Sequence, residues 1–233
     1  MAATELSTTP LFTDANLVAY WKLENTSDSK ASYTLTNNNS VGFASGLFNN
    51  AADFGTSNTN KYLSVASDLG ITNGACSISA WIKLRTEIST GEYRFVWKFD
   101  TGTDVTYGLK YEYNSGTRRV LFWRVRENAE IKEVTYNTVL GTSNWHHMVL
   151  THDGTTLSGY LDGVSVGTPI TATGDGSGVA TADFTEIGRG STAGYASAYI
   201  DDVAIFNRAL TSTEVSNLYN GFPAEGGFYY MSV

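Results

Sequence analysis

The chain has one cysteine, three prolines and three histidines in 233 residues, and little charge of either sign. With Cys76 alone, no internal disulfide can form. It lies in the apolar alternating run "GACSISAWIKL" and reads as a small core residue, not a reactive thiol. Charged residues make up 16%, well below the usual quarter, and the net charge is −8. An acidic chain is not drawn to phosphate backbones or anionic lipid surfaces, which argues against nucleic acid as a partner. No apolar run approaches the length of a membrane span, so membrane insertion is not expected. The N-terminus "MAATELSTTPLFTD" lacks the basic region and apolar run of a standard signal peptide. The expected location is extracellular, at a cell surface or on a virion, reached by another route such as phage assembly or lysis.

What is present is β-forming sequence. Hydrophobic residues make 42% of the chain and aromatics 13%, enough for a sizeable core. Residues 1–14 are small and polar and read as a flexible N-terminal arm, followed by a single domain over 15–233. Short alternating runs then recur: "LVAYWKLE" (17–24), "KYLSVAS" (61–67), "CSISAWIKL" (76–84), "YRFVWKFD", "TYGLKYEYN", "RRVLFWRVRE" and "IKEVTYNT". Alternation with β-branched and aromatic enrichment predicts strands. "YNSGTRR" predicts a hairpin, and Asp153-Gly154 and Asp162-Gly163 supply tight turns. "TATGDGSGVAT" reads as a looser glycine-rich loop. One stretch, "ALTSTEVSNLYNG", predicts a helix of about two turns. Thr211 and Glu214 form a capping box, Leu210 and Val215 a hydrophobic staple, and Gly221 a stop.

All three histidines fall in "SNWHHMVLTHDG". On a strand, His146 and His147 point to opposite faces, and His146 and His152 lie about 20 Å apart. Neither metal-ligand nor acid–base spacing results, and Asp153 belongs to its turn.

Five segments in order resemble laminin G-like domains of the concanavalin A-like lectin/glucanase superfamily. "LVAYWKLE" is similar to that family's first strand. "SGLFNNAADFGTSNTNKYLSVAS" is similar to its Gly-x-x-x-x-Ala-x-x-Phe segment, and "CSISAWIKL" to the next strand. "NWHHMVLTHDGTTLSGYLDGVSVG" is similar to its central hairpin, and "YIDDVAIFNRALTSTEVSNLY" to its closing strand and helix. The resemblance implies an all-β, jelly-roll β-sandwich of two antiparallel sheets with one short C-terminal helix. It also implies a structural calcium ion held by Glu24, the backbone around Gly55, and Asp201, with Asp28 and Asp53 as further candidates. That ligand chemistry suits calcium, which takes several hard oxygens. Strand parity sets Asp201 beside the apolar Val203 and Ile205, where a carboxylate needs a partner or an ion.

The two-carboxylate strand of the superfamily's glucanases, of Glu-x-Asp-x-x-Glu type, is absent. In "RENAEIKE" the acids are three apart and alternate between strand faces. The Arg/Glu and Gln-Ile-His signatures of the lyases are absent too, so no enzyme is expected. The segment from Tyr93 to Tyr136 interleaves aromatics with Arg and Lys, as sugar-binding surfaces do. Its form also resembles a single-strand nucleic-acid platform, against which the net charge speaks. Parity groups Tyr93, Phe95, Trp97 and Phe99, and separately Tyr107, Leu109, Tyr111 and Tyr113. Tyr107, Tyr111, Trp123 and Arg124 are the candidate ligand contacts. Trp81 and Trp145 are assigned to core or rim. Two functions remain in view. One is a non-catalytic lectin-like module for a glycan or polysaccharide. The other is a structural or adhesion protein, such as a virion or cell-surface component, contacting other proteins through its apolar C-terminus at Phe228–Val233.

Overall fold

A computed structural model describes residues 3–31, 33–56, 60–67, 69, 75–99, 105–126, 130–173, 184–190 and 194–221. In strand segments at 99, 105–106, 124–126 and 130–131 the backbone alone is described. The C-terminal segment at Phe228–Val233 and most of the glycine-rich loop lie outside the described residues.

Among the described residues fifteen strands follow one another: β1 (Leu17–Trp21), β2 (Thr36–Asn38), β3 (Gly42–Ser45), β4 (Asn50–Asp53), β5 (Tyr62–Val65), β6 (Ala75–Leu84), β7 (Gly91–Phe99) and β8 (Val105–Asn114). Then come β9 (Thr117–Arg126), β10 (Glu130–Asn137), β11 (His146–Asp153), β12 (Thr156–Leu161), β13 (Val164–Thr171), β14 (Phe184–Ile187) and β15 (Ala198–Phe206). Helix α1 (Ser212–Asn220) closes the described chain. The strands form two antiparallel sheets. The first runs β13-β12-β11-β6-β15-β4-β3, with β1 also on β15; the second runs β10-β9-β8-β7-β14-β5-β2. The fold is the expected all-β sandwich with one short C-terminal helix.

Alternation decides which residues fill the space between the sheets. From β6 come Cys76, Ile78, Ala80, Ile82 and Leu84; from β8 and β9 come Tyr107, Leu109, Tyr111, Val120 and Phe122. The turns follow their sequence chemistry. Ser115-Gly116 and Asp162-Gly163 have positive φ at both central positions, the twist that two-residue hairpins require. In α1 the Thr211 side chain accepts from the Glu214 N–H, and the Glu214 carboxylate accepts in return from the Thr211 N–H.

The outer face of the first sheet is covered over the part formed by β1, β15 and β11. Helix α1 lays Val215 and Leu218 onto Val149, Ala204 and Phe206. The N-terminal segment differs from the expected loose arm. Residues Leu6–Thr8 and Pro10–Thr13 form 3-10 turns, and Leu6 and Leu11 are buried in the same cluster beside Leu17 and Tyr20. Leu6 and Leu11, with Phe12 packed against the same cluster, help to dock this mostly polar stretch, because each gains by leaving water.

Two β-bulges move side chains off simple parity. In β7 the register shifts between Arg94 and Val96, so Phe95 and Val96 both enter the core, and Trp97 turns outward. In β15 it shifts between Asp201 and Ala204, with Asp202 at φ 52°. Val203 and Ile205 therefore face the core, and Asp201 does not share their face.

Candidate functional site

The histidines serve the fold. His147 is buried, stacked on Trp81 at 4.7 Å between ring centroids, with its Nε2 2.8 Å from Ser79 Oγ. Burial pushes its pKa down to about 3, so it is neutral. His146 points the other way, its Nδ1 2.8 Å from Asp162 Oδ2 and its Nε2 2.8 Å from the Leu140 carbonyl oxygen. Burial opposes its charge, but Asp162 and the Leu140 carbonyl outweigh burial and raise its pKa. His152 Nε2 lies 2.9 Å from the Ala172 carbonyl oxygen. Asp153 accepts from the backbone N–H groups of Thr155 and Thr156, as a turn residue does.

The expected calcium ligands are only partly brought together. Asp201 is fully buried on the outer face of the first sheet, and its Oδ2 accepts from the Leu47 and Phe48 N–H groups at 2.9 and 3.0 Å. The same loop reaches Glu24, whose Oε1 accepts from Asn49 Nδ2 at 2.9 Å. Asp201 Oδ1 has no hydrogen-bond partner. Burial lifts the Asp201 carboxyl to about 7, against the pull of the amides. A buried carboxylate with one vacant oxygen fits a hard cation. Gly55 does not fit. Its carbonyl accepts from Ser197 Oγ, four residues before Asp201 and thus about 13 Å away along the strand. Asp28 is occupied by the N–H groups of Tyr20, Lys30 and Tyr33, and Asp53 by Arg85. Among the described residues no three His, Cys, Asp or Glu side chains form a metal-holding group.

Of the four expected ligand contacts, the three with described side chains split between two faces of the second sheet. Tyr107 and Tyr111 are fully buried in the core between the sheets and cannot stack on a sugar. Alternation grouped them correctly but could not tell which face turned inward. Arg124 pairs with Tyr107 across β8 and β9, and its side chain lies outside the described atoms. Trp123 pairs with Gly108 and takes the outer face, partly exposed.

Around Trp123 the outer face is aromatic and charged. The register aligns Trp123, Gly108, Trp97 and Glu186 in one row. Gly108 is required there, since a Cβ would come within 2.0 Å of the Trp97 ring. The two indoles meet edge to face at 5.0 Å. Lys110 Nζ sits 4.5 Å from the Trp123 ring centroid, and the Arg94 guanidinium 4.5 Å from that of Trp97. Further along, the Arg189 guanidinium lies 3.5 Å from the Tyr62 ring centroid and pairs with Glu186. Sequence reasoning noted Arg94 and Lys110 among the interleaved basic residues without choosing them as contacts, and missed Arg189 and Tyr62. The register that unites them crosses the sheet order and is not readable from spacing.

Glu92 and Glu112 are opposite each other on this face. Lys110 Nζ bridges them, at 3.0 Å from Glu92 Oε2 and 2.8 Å from Glu112 Oε2. Two carboxylates this close invite comparison with a retaining glycosidase pair. Burial pushes the Glu112 carboxyl up, but Lys110 and Arg119 outweigh it and hold it below the ordinary Glu value. A general acid needs the reverse. The pair is an ion-pair network that anchors Lys110 over Trp123.

An antiparallel sandwich with one outer face capped by a helix and the other presenting aromatics and paired charges defines the class of jelly-roll β-sandwich modules. The chain belongs to the concanavalin A-like lectin/glucanases superfamily, whose laminin G-type family model matches residues 56–216. No curated protein matches the chain significantly in sequence. Among solved structures it is similar to domain 4 of AbnA, a GH43 extracellular arabinanase from Geobacillus stearothermophilus, in complex with arabinotriose. That likeness has a TM-score of 0.62 at 17% identity, over 88% of this chain and 98% of that one. It is also similar to the binding domain of botulinum neurotoxin serotype D/C, with a TM-score of 0.68 at 13% identity over 90% of this chain. The serotype G binding domain gives a TM-score of 0.62 at 18% identity over 88% of this chain. The match spans about half of each neurotoxin domain, 53% and 50%. No helix among the described residues is long and apolar enough to cross a membrane.

Proposed function

We propose that this chain is a non-catalytic, extracellular carbohydrate-binding module that presents the outer face of its second sheet, centred on Trp123, to a neutral glycan. The observation that carries the reading is the partly exposed Trp123 indole, fixed edge to face by Trp97 and backed by Lys110. A pyranose stacks on such a ring through its C–H face, and surrounding polar groups serve its hydroxyls. Arg94, Lys110, Arg119 and Arg189 are each paired with a glutamate. Among the described side chains the surface is therefore polar, with its cations already paired and not free to draw an acidic sugar. The arabinotriose complex of the arabinanase domain is consistent with this use of the fold.

A structural calcium ion at Asp201 and Glu24, completed by carbonyls of residues 46–49, is part of the same proposal. When bound it would neutralise the buried Asp201 carboxylate. The test is a glycan array run with millimolar calcium and again with a chelator. Binding of neutral oligosaccharides, lost in Trp123→Ala by tenfold or more, is the expected result. No neutral ligand under either condition would overturn it and favour a protein-contact role. Tyr136, Val139 and Val164 are the exposed large hydrophobics among the described residues and would be the first surface to probe for that role.

A further inference from the structure

A second aromatic cluster lies on the opposite sheet, away from Trp123. The register sets Lys83 of β6 opposite Tyr199 of β15, and Tyr199 opposite Asp53 of β4. On the other side of β6, His146 pairs with Ile82, so Trp145 comes level with Lys83. Trp81 and His147 face outward and stack on each other. Alternation puts Lys83 and Trp145, two residues away, on that same outer face.

Trp145, just before β11, and Tyr199 on β15 lie on either side of β6, about 10 Å apart at the backbone. Their rings nevertheless approach to 6.5 Å between centroids, inclined at 48°. In the register their backbone positions flank that of Lys83. Arg85 lies over the Tyr199 ring at 5.0 Å and is neutralised by its ion pair with Asp53. Lys83 forms no ion pair with any described residue. Trp145, Tyr199, Lys83, Arg85 and Asp53 are all partly exposed.

This row thus combines two inclined aromatic faces with one uncompensated ammonium, in a chain whose net charge is −8. We infer that it is a second saccharide site, specific for a carboxylated sugar such as a uronic or sialic acid. The sugar ring packs on Trp145 and Tyr199, and its carboxylate meets the Lys83 ammonium in a charge-assisted hydrogen bond. The Trp123 face offers the opposite chemistry, since its described cations are already paired. The two faces would then sort acidic from neutral sugars.

The test titrates the full chain with 3′-sialyllactose and oligogalacturonate, and with lactose and oligogalactan as their neutral counterparts. Wild type is compared with Lys83→Gln, Trp145→Ala and Trp123→Ala. At least one acidic probe is expected to bind. Its Kd should rise tenfold or more in Lys83→Gln and Trp145→Ala, stay within twofold in Trp123→Ala, and weaken with added salt. Lys83→Gln, which removes charge and little packing, decides the matter if Trp145→Ala melts early. Failure of both acidic probes to bind, equal binding of acidic and neutral probes, or an unchanged Kd in Lys83→Gln would overturn the inference. Neutral-probe binding sensitive only to Trp123→Ala reports on the other face and leaves that outcome separately readable.

Discussion

Asp201 concentrates the chemistry of the first sheet in one side chain. Two amides from the 46–49 loop satisfy one oxygen, while the other has no donor. Replacing the carboxylate by an amide keeps the shape and an oxygen for Leu47 and Phe48 but removes the buried charge. In chelator, Asp201→Asn should therefore melt at or above the wild-type temperature. With calcium at about a hundred times its Kd, wild type should gain about 2.7 kcal/mol. That corresponds to a rise of about 5–11 °C for a domain of this size, and the variant should gain none. Equal responses to calcium in a melting experiment would remove Asp201 from the ligand set. The sequence made Asp201 visible as an acid among apolar residues. It concealed the bulge that takes Asp201 off the face of Val203 and Ile205, because a bulge is one extra residue with no composition of its own. The same blindness put Tyr107 and Tyr111 among the ligand contacts. A strand that alternates two half-apolar faces does not say which one meets the other sheet.

Elements with local chemistry were legible, and elements held by distant contacts were not. The α1 capping box and the Asp162-Gly163 hairpin follow from residues within four positions of each other. The N-terminal segment was read as loose because its order comes from partners far along the chain. The Leu6 N–H donates to Asp202 Oδ2, Arg208 pairs with Asp14, and Lys30 Nζ donates to the Phe12 carbonyl oxygen. Leu6 and Leu11 each leave water almost completely, at about 1.5–3 kcal/mol apiece. Removing residues 1–14 should lower the melting temperature by about 5 °C or more and uncover Leu17, Tyr20 and Phe206 to an apolar-surface dye. Unchanged melting and dye binding would show that the segment contributes nothing to the sandwich.

At the scale of the whole molecule, buried titratable groups under the capped face set opposing pH limits on stability. Burial lifts Asp201 to about 7 and Asp202 to about 8, the latter despite hydrogen bonds from Tyr20 and Leu6. Their ordinary value is 3.8, so between about pH 4 and 8 the folded chain holds protons that the unfolded chain has released. Stability is then lost as pH rises through that window. His147 acts in the other direction. With a folded value near 3 against 6.5 unfolded, it loses stability as pH falls below 6.5. Glu5, Asp14, Glu112, Asp153 and Glu214 are all held below their ordinary values, and their contributions vanish as pH falls below about 4. Two carboxylates outweigh one imidazole above pH 4, and everything else fails below it. In chelator the melting temperature should therefore peak near pH 5 and fall toward both pH 8 and pH 3. Millimolar calcium, by compensating the charge at Asp201, should restore part of the loss at pH 8 and change nothing at pH 3, where that carboxylate is protonated. A chelated protein that is most stable at pH 8 would mean that the Asp201–Asp202 pair is solvated, and that the N-terminal segment does not seal it.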